Sequence, residues 1–446
     1  MTPGGRVQAV IDLLTTIMAA PSRPADGTAR AFFHERRYMG AKDRRAVADR
    51  AWAILRCRAR LGWWVDHAAA RRDRHNTTPA PDNVMRWYVL AYLVLVEGQS
   101  IETLAGLGRD PHGPAGLTQG ERDLLAEMRG GSLDHSAMPR RVRGECPSWL
   151  EESLSARFGP ALDHELAAMN REAPLDLRVN TLKTTRAQAH ALLAAEGIES
   201  SPTPFAPFGL RVQGRVNVAA CAPFREGLVE VQDEGSQLTA LLVGARPGES
   251  VVDYCAGAGG KTLALAASMG NKGRLVACDI SHGRMERATQ RLRRAGVHNV
   301  IRRLLGDSTA AWFKRAQGRF DRVLADVPCT GTGTWRRNPD ARWRLRPEES
   351  AELTTRQADI LARAERLVRP GGRLVYTTCS LLAAENEAQV ERFLMDSPTF
   401  RLIPADHAWA ESTEGPWPFD PASPFLHLTP AQHGTDGYFV AVLERN

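Results

Sequence analysis

Asp253-Tyr254-Cys255-Ala256-Gly257-Ala258-Gly259-Gly260-Lys261-Thr262 closes a short apolar run at Val251-Val252 and opens a small-residue helix. Glycine and alanine let a backbone close on a ligand, and the first turn of a helix leaves N–H groups free to meet one. A nucleotide-binding P-loop would need G-x-x-x-x-G-K-[ST]. Gly260-Lys261-Thr262 supplies the end of that pattern, but its first glycine would fall where Cys255 stands. The P-loop reading fails, and a nucleoside-type cofactor loop remains.

Outward from this loop the chain alternates. Strands are predicted at 251–255, 274–278, 300–305, 320–326 and 373–377, with a last one at 437–443. Helices are predicted at 263–269, 285–295 and 349–368 between them. Such alternation gives an α/β fold with a doubly wound parallel sheet from about residue 246. Residues 146–245 differ. A helix begins at Pro147-Ser148-Trp149, strand composition appears at 176–180, 209–212 and 227–232, and a helix is predicted at 185–197. That is a small α+β segment. Residues 1–140 carry apolar side chains at helical spacing (Val7, Val10, Ile11, Leu14, Ile17, then Val47, Ala51, Ile54, Leu55) and form an all-helical domain.

The 446 residues carry a net charge of +7. Residues 1–145 hold 22 Lys+Arg against 16 Asp+Glu, while the remainder holds 36 against 35. The excess sits in the helical domain and fits a polyanionic partner there. Seven cysteines, at 57, 146, 221, 255, 278, 329 and 379, show no Cys-x-x-Cys or Cys/His ligand spacing. No disulfide framework and no metal are expected, and reduced cytosolic thiols fit. The N-terminus does not read as a signal peptide, and the most apolar run, 89–96, is too short to span a bilayer. A cytoplasmic protein with no membrane partner is the expectation.

Acidic residues fall at successive strand ends: Asp253, Asp279, Asp307 and Asp326. Ligands of open α/β sheets bind at those ends, and an acid 19 residues past Gly260 suits a ribose. Two cysteines follow neighbouring strands, in Asp326-Val327-Pro328-Cys329-Thr330-Gly331-Thr332-Gly333 and in Thr377-Thr378-Cys379-Ser380. Free cysteines elsewhere (57, 221, 278) read as buried hydrophobes. At a strand–loop junction beside a cofactor, thiols suit covalent catalysis.

These motifs come in a particular order: VQDEGSQ at 231–237, the loop at 253–262, CD at 278–279, GD at 306–307, the PC and TCS motifs, ENE at 385–387 and DGYF at 436–439. In that order the chain resembles the RNA cytosine-5 methyltransferases of the RsmB/NOP/NSUN type over 146–446. Residues 1–140, through RRYMGAKDRRAVADRAWAILR, are similar to the NusB-like domain of the bacterial RsmB type. The resemblance implies a Rossmann-like class I methyltransferase domain at 246–446. It also implies an RNA-recognition segment at 146–245 and an RNA-binding helical domain at 1–140. Its cofactor is S-adenosyl-L-methionine. The resemblance places that cofactor on Cys255, Ala256, Gly257, Ala258, Gly259, Gly260 and Lys261, with Asp279, Asp307 and Asp326. It makes Cys379 the nucleophile that attacks cytosine carbon 6 and Cys329 the thiol that assists release. In the DNA enzymes the PC cysteine attacks instead, so the roles follow from the family. Asp326 is a candidate acid toward ring nitrogen 3. The family's Arg-Val-Asn-Thr-x-Lys pattern falls at 178–183 and makes Lys183 a candidate active-site or RNA contact, against the alternative of an ordinary surface lysine. The family's Ala-Pro before the glycine pair is Gly257-Ala258 here, which keeps the loop small.

The implied partner is RNA rather than DNA, with a single-stranded or loop cytosine as target, in small-subunit ribosomal RNA. Transfer RNA and large-subunit RNA are alternatives, as is a non-catalytic RNA-binding factor. Trp335 to Arg346 interleaves five arginines with two tryptophans and suits phosphates and stacked bases. Seven arginines between 284 and 303 read equally as an RNA surface or a solvated helix face.

Overall fold

Apolar residues at three- and four-residue spacing over the first 130 positions fold as predicted, into helices. In the computed structural model, which describes residues 1–72, 84–306 and 309–446, these include Pro3–Ala19, Ala25–Glu35, Ala41–Arg56, Arg58–Arg72, Val84–Leu95 and Gln119–Met128. Their inward faces share one core, with Val10, Leu13, Leu14, Val47, Ile54, Leu61, Leu90, Leu93 and Leu125 buried. Thr118 and Glu121 form a capping box that starts the last of these helices. The chain divides into two units: Met1–Arg171 with Trp335–Leu345, and Glu172–Thr334 with Arg346–Asn446. The helices Ser148–Phe158 and Leu162–Asn170 thus belong to the first. No described helix is long and apolar enough to cross a membrane.

The second unit contains two sheets. The smaller is antiparallel, from β1 (Leu175–Val179), β2 (Ser200–Pro202), β3 (Gly209–Val212) and β4 (Val229–Val231) in the order β2-β3-β1-β4. The larger contains β5 (Ser250–Asp253), β6 (Arg274–Asp279), β7 (Val300–Leu304), β8 (Phe320–Asp326), β9 (Val368–Thr378), β10 (Phe400–Ile403), β11 (Leu426–Leu428) and β12 (Tyr438–Arg445). Its order is β10-β12-β9-β8-β5-β6-β7, with β11 on β12. Strands β5 to β9 run parallel, as expected, and β12 pairs antiparallel with β9, β10 and β11. The doubly wound sheet is thus parallel through β5 to β9 and antiparallel where β12 joins one side. Short apolar β10 and β11 carry no motif, which is why periodicity alone did not yield them.

The central parallel strands are covered on both faces, while the edge strand β7 leaves Ile301 and Leu304 exposed. Val252, Val276, Val323, Leu374 and Tyr376 face one core, and Val251, Leu275, Leu324, Val375 and Val440 the other. Continuous β-branched runs are the composition of strands buried on both sides. Chain order reverses between β5 and β8, because the chain builds β6 and β7 outward and then returns to pair β8 with β5. Ligand crevices of open sheets form beyond the carboxyl ends of strands at such a reversal.

Candidate active site

The cofactor loop is built by two glycines and two carboxylates. Gly257 and Gly259 have φ of +56° and +83°, a region that favours glycine. A Cβ on Gly257 would point into open space, so ligand can approach the backbone there. Asp279, at the end of β6, accepts from Gly257 N–H at 2.8 Å and Ser281 N–H at 2.7 Å. Each carboxylate oxygen retains a second lone pair for a hydroxyl. Gly259 starts the helix Gly260–Ser268 without a side-chain cap, so that first turn keeps N–H groups available. Ala256 N–H donates to Cys278 O at 2.8 Å, and Arg291 donates to Ala258 O at 2.9 Å. These bonds fix the loop from both sides. Its open glycine, its two-pronged acid and its uncapped helix start fit a nucleoside cofactor.

Asp253 has a different task from the one its place in the acidic series suggests. It is fully buried and accepts from Thr262 Oγ1 at 2.7 Å, pinning the helix onto the strand. Burial raises its carboxyl to about 7, against the lowering pull of the Thr262 bond. Asp307 lies outside the described residues. Burial also pushes the Cys255 and Cys278 thiols up, Cys278 to about 12, as suits cysteines that serve as small hydrophobes.

The cysteine pair lies one strand over. Asp326 of β8 pairs in register with Thr377 of β9, so loops leave adjacent strands side by side. Their sulfurs, Cys329 Sγ and Cys379 Sγ, are 3.3 Å apart. Cys329 is driven well above the usual thiol range, first by its hydrogen bond with Cys379 and next by burial. Gly331, at φ +67°, turns the chain beside Cys379. Asp326 accepts from Lys261 Nζ at 2.8 Å. Burial alone would pull the Lys261 ammonium down, but the Asp326 carboxylate opposes it and the net movement is upward, with Cys379 adding to the rise. Lys261 also lies 5.2 Å from the Tyr438 ring centroid. The structure therefore joins the cofactor loop through Lys261 to Asp326, three residues before Cys329, whereas the sequence had assigned Lys261 to the cofactor alone.

One group that the motif reading quoted without a role organises the centre. Glu385 is fully buried. It accepts from Thr330 N at 2.9 Å, from the Thr330 and Ser380 hydroxyls, and from Gln357 Nε2 at 2.8 Å. One carboxylate thus holds the residue after each cysteine. Asn386 completes the tie, accepting from Thr378 Oγ1 at 2.6 Å and donating to Ser380 O at 3.0 Å. The ENE motif was the available signal.

Lys183 does not join this cluster. Its ammonium donates to Glu226 O at 2.7 Å and Arg294 O at 2.8 Å, the second at the carboxyl end of the helix His282–Ala295. A cation there satisfies terminal carbonyls. Its motif neighbours behave alike: Arg178 Nε donates to Gln232, and Asn180 Nδ2 to Gly227 O and Ala295 O. The motif fastens the small sheet to that helix. In the arginine run above it, Arg291 and Arg294 pair with Glu230, Arg302 with Glu286, and Arg303 lies over Trp312, leaving Arg284, Arg287 and Arg293 exposed. In the Trp335–Arg346 run, Trp335, Arg336 and Arg342 are buried and so withdrawn from the expected RNA surface, while Arg337, Trp343 and Arg344 are half-buried and Arg346 is exposed.

A family model described as 16S rRNA methyltransferase RsmB/F matches residues 240–444, and a second, the ferredoxin-like domain of RsmF/B-like methyltransferases, matches 146–219. A probable ribosomal RNA small subunit methyltransferase B of Synechocystis sp. is 33% identical over 420 residues, covering 91% of this chain and 92% of the relative. The chain belongs to the RsmB/F methyltransferase family. It is an S-adenosylmethionine-dependent RNA methyltransferase. The crystal structure of PH0851 matches with a TM-score of 0.78 at 28% identity, over 100% of this chain and 99% of that one. A methyltransferase homolog from Pyrococcus horikoshii matches with a TM-score of 0.58 at 26% identity, over 69% of this chain and 98% of that one. Within this RsmB/F-family enzyme, the open Gly257 backbone, Asp279 and the uncapped helix start are chemically suited to a nucleoside cofactor.

Proposed function

We propose that this enzyme methylates carbon 5 of a cytosine in small-subunit ribosomal RNA through a covalent adduct on Cys379. The observation that carries the reading is the 3.3 Å approach of two thiols beside a cofactor loop. Methylation of an amine or a carboxylate needs no thiol, whereas cytosine carbon 5 is a poor nucleophile until a sulfur adds to carbon 6. Bound S-adenosylmethionine supplies an electrophilic methyl group.

The protein's own residues do the rest. Cys379 adds to carbon 6, and the ring electrons move so that carbon 5 becomes enamine-like. Asp326, held by Lys261, is the group assigned to ring nitrogen 3 as the electrons arrive. Once carbon 5 carries the methyl group, a water molecule acting as base takes its remaining proton, and the electron pair left behind restores the carbon 5–carbon 6 double bond and expels Cys379 as a thiolate. The roles of the two sulfurs follow the family resemblance, which gives the attack to Cys379 and gives Cys329 its place in release. Gly257 and Asp279, with Asp307 and the helix start, hold the donor. The target base must leave its stack to reach both sulfurs, so an unpaired loop is the fitting substrate. The names of the curated relatives favour small-subunit ribosomal RNA over transfer RNA or large-subunit RNA. Bisulfite sequencing of all three RNA classes from a strain lacking the gene tests this. Loss of one 5-methylcytosine from small-subunit RNA is expected, and loss from another class alone would overturn the target.

A further inference from the structure

Tyr438, in the DGYF motif, is the first residue of β12, and its backbone neighbours are tied down on both sides. Gly437 N–H donates to Gly333 O at 2.9 Å, and Asp436 N–H donates to Asp233 Oδ1 at 3.2 Å. Phe439 is in register with Thr378 of β9, and Tyr438 and Cys379 follow at the next position of that register. Cross-strand neighbours of this kind lie side by side. The ring is pressed onto the start of the helix Glu234–Leu242, where a Cβ on Gly235 would lie 2.6 Å from Tyr438 Cδ2. The glycine leaves the room that the ring takes. Burial drives the phenol well above its ordinary range, and the charges of Asp233, Cys379, Asp436 and Asp326 push it the same way. The side chain thus stands among the groups of the reaction centre on a fixed backbone.

The ring has a cation over it. Lys261 Nζ lies 5.2 Å from the ring centroid. The lysine is buried, and among the described residues its ammonium has one hydrogen-bond acceptor, Asp326 Oδ2 at 2.8 Å. An ammonium carries three N–H groups, so one carboxylate oxygen leaves much of its charge unsupported away from water. The negative face of an aromatic ring attracts a cation, most strongly when the cation is desolvated. It does so without a directed lone pair. A carbonyl or a second carboxylate in the same place would turn N–H groups away from Asp326. The ring supports the charge and leaves Asp326 as the acceptor. An aliphatic side chain would fill the space and support nothing.

We propose that Tyr438 is a positioning residue for the reaction: the face of its ring holds the Lys261 ammonium against Asp326, the group assigned to ring nitrogen 3. The catalytic consequence rests on the proposed chemistry of Asp326, whereas the contact between ring and ammonium does not.

The test replaces Tyr438 in the full-length enzyme with Phe, with Leu, and with phenylalanines carrying one, two or three ring fluorines introduced by site-specific incorporation. Fluorine withdraws negative charge from the ring face and changes the ring's shape little. Tyr438→Phe keeps the ring and should retain most of kcat. Tyr438→Leu should lower kcat by about tenfold or more, as a misplaced catalytic group does. Along the fluorinated series kcat should fall stepwise from the Phe value, with the KM for RNA, the S-adenosylmethionine affinity and the melting temperature unchanged. A residue that only packs would leave kcat flat across that series, so a flat series overturns the proposal. So does a Tyr438→Phe enzyme as slow as Tyr438→Leu, which would give the effect to the hydroxyl. A rise in the KM for RNA alone also overturns it, because the ring would then be a substrate contact. The contact itself is read by NMR without RNA. The ε-methylene protons of Lys261 should be shifted upfield by the ring in wild type and Tyr438→Phe, and not in Tyr438→Leu. An ordinary shift in the wild-type protein overturns the contact. A wild-type enzyme that fails to methylate cytosine refutes the proposed function instead, and the upfield shift still decides whether the ring holds the ammonium.

Discussion

Cys329 and Cys379 bring their sulfurs to 3.3 Å from loops that leave adjacent parallel strands, and one buried carboxylate, Glu385, holds the residue following each of them. The spacing is therefore a property of the Thr330–Glu385–Ser380 tie as much as of the cysteines.

Removing each thiol should fail differently. Cys379→Ala should lose methyl transfer by roughly 10³-fold or more and form no RNA adduct, because the nucleophile is gone. Cys329→Ala should still attack and should accumulate a protein–RNA adduct that survives denaturing electrophoresis. An adduct found in Cys379→Ala and missing in Cys329→Ala would exchange the two roles.

Glu385→Gln replaces a carboxylate that accepts four bonds with a group that must also donate. One amide N–H would then face a donor in a buried site. A stability loss of about 1–3 kcal/mol is expected in denaturant titration, together with a lower kcat and little change in donor affinity. Unchanged activity would separate the tie from the chemistry.

Asp279→Ala should weaken S-adenosylmethionine binding by at least about tenfold in calorimetry, through loss of charge-assisted bonds and of the Gly257 turn. The melting temperature serves as control. Undiminished affinity would move the donor site elsewhere.

Asp253 gives a pH signature. Its carboxyl is raised by burial to about 7, so the folded state keeps a proton that the unfolded chain releases near pH 4. The stabilisation is full below the unfolded value and is lost as pH rises from about 4 to about 7. Asp253→Asn, which cannot ionise, should therefore gain on wild type in melting temperature between pH 5 and pH 8. Parallel curves across that range would refute the assignment.

Lys183→Ala should cost ~0.3–1 kcal/mol of stability as a lost helix-terminus contact, with kcat unchanged. A large kcat loss at unchanged stability would return Lys183 to the catalytic machinery.

Local patterning made much of this protein legible. β-branched apolar runs alternating with amphipathic helices announce strands buried on both faces, because each strand must shed its apolar side chains on both sides of the sheet. The glycine loop, Asp279 at its strand end and the two cysteine motifs were readable for the same reason, since close backbone approach and thiol chemistry each demand particular residues at particular offsets. Tertiary structure decided what those residues face. Lys261 turned out to bridge from the cofactor loop to Asp326 across 65 positions, and Glu385 to bind both thiol loops. The arginine–tryptophan run at 335–346 reads as an RNA surface because its composition suits phosphates and bases, yet Arg342 finds backbone carbonyls instead. A sequence lists donors and acceptors but not their partners. Whether an arginine meets a phosphate, a carbonyl or water depends on which distant segments the fold brings within hydrogen-bond reach, and that is set by long-range packing.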